Sequence, residues 1–168
     1  MSVEMESLVR VEGVSHTFPA PEGGKDVLAL NAIDMEIRRG EMVAFIGPSG
    51  CGKSTLLNVI GGMISPTSGA AMVAGKPVRG PLPKDIAYIF QESALLPWAT
   101  VLDNIKVGLE FQGVPKAERG AIAAAALKSV GLEAFATSYP HQLSGGMKQR
   151  VALARARPSA RPETPVRP

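Results

Sequence analysis

Cysteine is nearly absent from this 168-residue chain: Cys51 alone cannot close an intrachain disulfide, and nothing has the spacing of a structural zinc cluster. No apolar run approaches the roughly 20 residues that a spanning helix needs, so any membrane role is expected to be peripheral. The opening stretch MSVEMESLVR places acidic residues where an export signal would carry positive charge and then an apolar segment, which makes the cytoplasm the expected compartment. A dense basic stripe is missing too. Residues 157–168 contain Arg157, Arg161 and Arg167 against Glu163 and so hold +2 of the formal +3, which argues against nucleic-acid binding by a folded face. What remains is a globular composition, 45% apolar and 20% charged, at a length suited to one domain.

Hydropathy patterning predicts an α/β chain. Leu8 to Val14 and Val27 to Ile37 read as strands separated by the loop-like PAPEGGK, an antiparallel opening. Met42 to Ile46 is a short unbroken apolar run, as expected of a strand covered on both faces. Ser54 to Ile60 has helical spacing of Leu56, Leu57 and Ile60 and a stop at Gly61-Gly62. Ala70 to Ala74 and Ile86 to Phe90 read as further strands, and Thr100 to Phe111 and Lys116 to Val130 as helices, the latter closed by Gly131. Ser144 to Arg157 reads as a last helix, which Pro158 ends. Residues 1–156 are therefore taken as the folded portion, with a helical part at about 100–145. The Pro- and Arg-rich segment 157–168 is expected to be disordered.

Two segments carry chemistry. Gly47-Pro48-Ser49-Gly50-Cys51-Gly52-Lys53-Ser54 fits G-x-x-x-x-G-K-[ST], between a predicted buried strand and a predicted helix. Glycines let such a backbone curl into a nest of N–H groups facing phosphate oxygens, the helix terminus adds partial positive charge, and Lys53 reaches the outer phosphates. Ser54 supplies an oxygen to magnesium, and Thr55 follows it in the same turn. Cys51 fills a free position of this loop and is given no chemistry of its own. The second segment, Leu143-Ser144-Gly145-Gly146-Met147-Lys148-Gln149-Arg150, offers a hydroxyl and bare amides at another helix start. Alone, it could be only a cap.

With a phosphate loop, a glutamine after the predicted strand IAYIF and LSGGM in order, the chain resembles the nucleotide-binding subunits of ATP-binding cassette (ABC) transporters from about Leu8 to Ala156. The phrases ALLPW at 94–98 and YPHQLSGGMKQR at 139–150 look like the nitrate, sulfonate and taurine importer branch. The resemblance implies a phosphate-loop NTPase fold with an antiparallel β portion near the start and a helical subdomain. It implies ATP and Mg2+ as cofactors, held by Gly47 to Thr55 and by Ser144, Gly145 and Gly146, with Phe18 stacking on adenine. Lys53 and Gln91 would be the catalytic residues, and Ser54 and Gln91 the magnesium ligands. The implied partners are membrane permease subunits, a second copy arranged head to tail and, indirectly, a solute-binding protein, but no nucleic acid. The implied place is the cytoplasmic face of the membrane. His16 and His141 do not match the family's switch histidine and are expected to be surface or loop residues.

The family's next element, an apolar strand ending in Asp and Glu, has no counterpart in RPSARPETPVRP, and Glu163 lacks the preceding apolar run. The expectation is a C-terminally truncated member with an incomplete core sheet, the product of a truncated or frame-shifted gene, binding ATP poorly and hardly hydrolysing it. Two alternatives stand beside an importer subunit: a non-hydrolysing ATP-binding fragment, and a DNA-associated relative, which would need coiled-coil insertions that are not seen.

Overall fold

The computed structural model describes residues 6–21, 23–82 and 85–156. They form two compact units divided between Ile86 and Ala87, each with its own apolar cluster.

The first unit is built on an antiparallel hairpin of β1 (Ser7–Phe18) and β2 (Val27–Arg38). After the phosphate-loop segment come α1 (Lys53–Ile60), β3 (Ser68–Val73) and the short β4 (Lys76–Pro77), giving the sheet order β2-β1-β3-β4. Strand β1 runs past the expected end at Val14 because it absorbs a bulge. Val11 and Val14 are both buried although three apart, a spacing that would put them on opposite faces of a regular strand. Their partners Met35 and Ile33 are only two apart, so the extra residue on β1 restores both valines to the core side. Gly13 sits there at φ 56°, its amide donating to Asp34 Oδ1 at 2.7 Å. The β3–β4 turn, Ala74 at φ 48° and Gly75 at φ 72°, has the two positive φ values of the tight hairpin class that matches strand twist. Helix α1 lays Leu56, Val59 and Ile60, one helical face, against Val11, Val14, Leu30 and Ala71. It stops where Gly61 and Gly62 take over its last carbonyls.

Met42 to Ile46 corrects the expectation of a buried strand. The segment forms no strand, and Met42 and Ile46 are 99% and 95% exposed. An apolar run becomes a strand only when neighbours take its backbone groups, and the sheet among the described residues contains no strand beside it. Ile86 to Phe90, also expected as a strand, is likewise irregular, with the Tyr88 and Phe90 rings 4.7 Å apart.

The second unit packs α2 (Val101–Phe111), α3 (Lys116–Ser129) and α4 (Gly145–Ala156) around Val101, Ile105, Leu109, Ala123, Leu127 and Val151. Thr100 caps α2 in both directions: its Oγ1 accepts from the Asp103 amide at 3.1 Å and donates to Asp103 Oδ2 at 2.7 Å. Gly108 allows α2 and α4 to meet closely, since a Cβ there would lie 2.6 Å from the Arg155 carbonyl oxygen. Gly131, at φ 68°, follows the end of α3 as expected. The expected disordered tail, 157–168, lies outside the described residues.

Candidate functional site

The phosphate-loop segment runs along the exposed lip of the first unit and feeds directly into α1. Gly50 and Gly52 take φ 83° and 92°, values at which only glycine is unstrained. Gly52 is doubly constrained, because a Cβ would stand 2.5 Å from the Ala29 carbonyl oxygen of β2. The loop thus rests on the hairpin through a bare backbone. Helix α1 begins without any side-chain cap, and while the Leu56 amide donates to the Gly52 carbonyl, those of Lys53, Ser54 and Thr55 precede any intrahelical acceptor and can face an anion.

Lys53 reveals what the loop does with its charge. Its Nζ donates to the carbonyl oxygens of Gly47 at 2.8 Å and Pro48 at 2.6 Å, and stands 3.3 Å from Cys51 Sγ. The ammonium's three donors are therefore turned inward on its own loop. Ser49 and Ser54 are exposed, and Thr55 is half-buried. This arrangement, cationic, rich in free amides and walled by glycine backbone, fits a polyphosphate. Ser54 is a hard oxygen donor of the kind Mg2+ accepts while it keeps waters and phosphate oxygens as its other ligands. No group of three His, Cys, Asp or Glu side chains is gathered for a metal among the described residues.

Phe18 ends β1, 43% exposed, with the His16 ring packed nearly perpendicular at 4.5 Å between centroids. His16 is not the surface or loop residue expected. It lies within β1, half-buried, with Nδ1 shielded from solvent and without a partner. His141 is exposed in a single 3-10 turn, Pro140–Gln142, stacked on Tyr139.

The other expected site residues lie in the second unit. Ser144 caps α4, its Oγ accepting from the Met147 amide at 3.3 Å, and Gly145 and Gly146 are exposed at the helix start. Gln91 is exposed, and its backbone oxygen accepts from Gln149 Nε2 of α4 at 2.6 Å. Arg155, one turn and a half further along α4, donates to the carbonyls of Ala94 at 2.8 Å and Ser93 at 3.1 Å. Burial pulls the Arg155 pKa below the usual guanidinium value, while the two carbonyl dipoles meet its charge. The glutamine segment is thus tied to the helix that begins at Ser144. Sequence reasoning names Gln149 only as a member of the second segment, gives it no role and does not single out Arg155; these two join the segments across 58 and 61 residues of chain.

Residues 30–161 match the ABC transporter family. The chain belongs to that family. An uncharacterised ABC transporter ATP-binding protein of Methanocaldococcus jannaschii is 47% identical over 151 residues, covering 90% of this chain and 55% of that protein. A bicarbonate transport ATP-binding protein of Synechococcus elongatus is 47% identical over 153 residues, 90% of this chain and 23% of the relative. A taurine import ATP-binding protein of Chromobacterium violaceum is 48% identical over 128 residues, 76% and 49% respectively. The chain therefore spans about half or less of the length of these relatives. Among solved structures, a dimeric bacterial ABC transporter cassette superposes with a TM-score of 0.81, and a post-hydrolysis dimeric cassette bound to ADP and Pi with 0.80. Each is 35% identical and is matched over 89% of this chain and 68% of its own. An α/β ABC fold, with an antiparallel sheet before a helical portion, follows for this member. Among the described residues no helix is long and apolar enough to cross a membrane.

Proposed function

We propose that this ABC member is the ATP-binding, energy-coupling part of an importer for a small solute of the nitrate, sulfonate or taurine kind. The observation that carries the reading is the phosphate loop: free amides at the start of α1, glycine backbone that admits no side chain, and one lysine poised on loop carbonyls. The branch assignment draws support from the bicarbonate and taurine relatives, each an ATP-binding protein of a transport system.

In this reading Gly47 to Thr55 bind the triphosphate, and Lys53 exchanges the Gly47 and Pro48 carbonyls for β- and γ-phosphate oxygens. Ser54 would hold Mg2+, whose chemistry is to neutralise phosphate charge. Phe18 stacks on the adenine. Ser144, Gly145 and Gly146, exposed at the start of α4, are available to the γ-phosphate held by a second copy in a head-to-tail dimer, a reading supported by the dimeric state of the similar cassettes. Gln91 would be, by the family resemblance, a ligand of Mg2+, and its backbone oxygen is tied to Gln149 of α4. The subunit would then sit peripherally on the cytoplasmic face of the membrane, docked on permease subunits that receive solute from a binding protein.

Calorimetric titration of the chain with ATP, with and without Mg2+, tests the core of this reading. Saturable binding is expected, weakened about 10- to 100-fold in Lys53→Ala, as follows from losing charge-assisted hydrogen bonds. Equal affinity in both proteins would refute the assignment of the loop.

A further inference from the structure

The proposed mechanism leaves His16 without a task, yet its Nδ1 is, with Ser7 Oγ, one of two buried side-chain polar atoms without a hydrogen-bond partner among the described residues. Its ring lies in β1 with Nδ1 screened from water and without a hydrogen-bond partner, an arrangement that costs free energy and that structures ordinarily avoid. What the orientation achieves is the contact with Phe18. The two residues are i and i+2 on one strand, so their side chains leave the same face of the sheet. Their rings stand 80° apart at 4.5 Å between centroids, the favoured edge-to-face geometry of an aromatic pair. Phe18 occupies the last residue of β1, paired with an exposed Val27, so the strand's end provides little cover of its own.

We propose that His16 is a positioning residue for base recognition: it holds the Phe18 ring in place before nucleotide arrives, by blocking the ring's swing toward its own side. The inference rests on the reading of Phe18 as the adenine-stacking residue. A ring already confined on folding does not lose that rotational freedom on binding, so stacking retains more of its gain. The effect must be confined to ligands that carry a base. The triphosphate is gripped by the loop at Lys53, which does not touch His16.

Titration of the full 168-residue chain with ATP and, separately, with inorganic triphosphate reads the two contributions apart. His16→Leu, which keeps apolar volume but removes the ring, is expected to weaken ATP about two- to tenfold, the range of one aromatic pair, and to leave inorganic triphosphate unchanged. His16→Phe restores the ring contact and should restore ATP affinity. Equal weakening of both ligands by His16→Leu would mean a merely structural role and overturn the proposal, as would failure of His16→Phe to recover ATP binding. Phe18→Ala separates this from the underlying reading. If it weakens ATP while His16→Leu does not, Phe18 stacks without help and the inference alone fails. If Phe18→Ala leaves ATP untouched, the base-stacking reading itself fails and takes the inference with it.

Discussion

Replacing Asn104 should unfasten the segment between Gln91 and α2, and the size of the effect can be worked out. Asn104 is fully buried. Its Oδ1 accepts from the Leu96 amide at 2.7 Å, and Nδ2 is shared among the carbonyls of Leu96, Ala99 and Thr100 at 3.2, 3.1 and 2.9 Å. One acceptor and two protons amount to about three hydrogen bonds, each worth about 1 kcal/mol net. Water entering beside the half-buried Leu96 recovers part of this, so Asn104→Ala should cost about 2–3 kcal/mol. The start of α2 keeps its other ties, Val101 amide to Ser138 oxygen and Leu102 amide to Ala136 oxygen, so the damage should concentrate at 96–100. Asn104→Leu separates causes: it refills the volume but satisfies none of the polar groups, and should be no more stable than the alanine variant. Urea unfolding followed by far-ultraviolet circular dichroism gives the stabilities, and acrylamide quenching of the single tryptophan, Trp98, reports the loop. A loss below about 1 kcal/mol for Asn104→Ala, or recovery in Asn104→Leu, would refute the argument that hydrogen bonding holds this segment.

Gly52→Ala combines a positive-φ penalty of about 1–2 kcal/mol with a collision against the Ala29 carbonyl, so both melting temperature and ATP affinity should fall; wild-type values in both assays would sink the structural reading of the loop. Asp103 has its pKa lowered, first by the Thr100 hydroxyl and then by Lys106. Its folded value lies below its unfolded one, so the stability it contributes is present above about pH 4 and disappears as pH falls through the folded value. Asp103→Asn should accordingly flatten the acid limb of a stability–pH curve measured by thermal melts, and an unchanged limb would count against this capping pair.

The helices and the phosphate loop were legible because their signals are local. Thr100 with Asp103, Gly131 and the pair Gly61-Gly62 each mark a helix end by the backbone groups they satisfy within a few residues. The course of β1 was half legible: alternation ended at Val14, and only the pairing with β2 shows the bulge at Gly13 that carries the strand to Phe18. Met42 to Ile46 was misread because hydropathy records what a segment can bury and not whether neighbours exist to receive it. In the candidate site the residue types were readable, since the glycine spacing is itself the loop. The partners were not. Nothing local in sequence marks the role of Gln149 or Arg155, and His16, lying past the expected strand end at Val14, reads as a surface or loop residue until the pairing of β1 is known.

The inward turn of Lys53 sets a threshold for visitors. A cation already satisfied by two neutral dipoles has no reason to leave them for another weak acceptor, so an uncharged nucleoside would find the doorway shut to it. Under the proposed function, a group bearing several negative charges would outcompete those oxygens and free the Gly47 and Pro48 carbonyls from Lys53. Charge discrimination would thereby come from the resting shape of the loop itself, ahead of any contact with sugar or base.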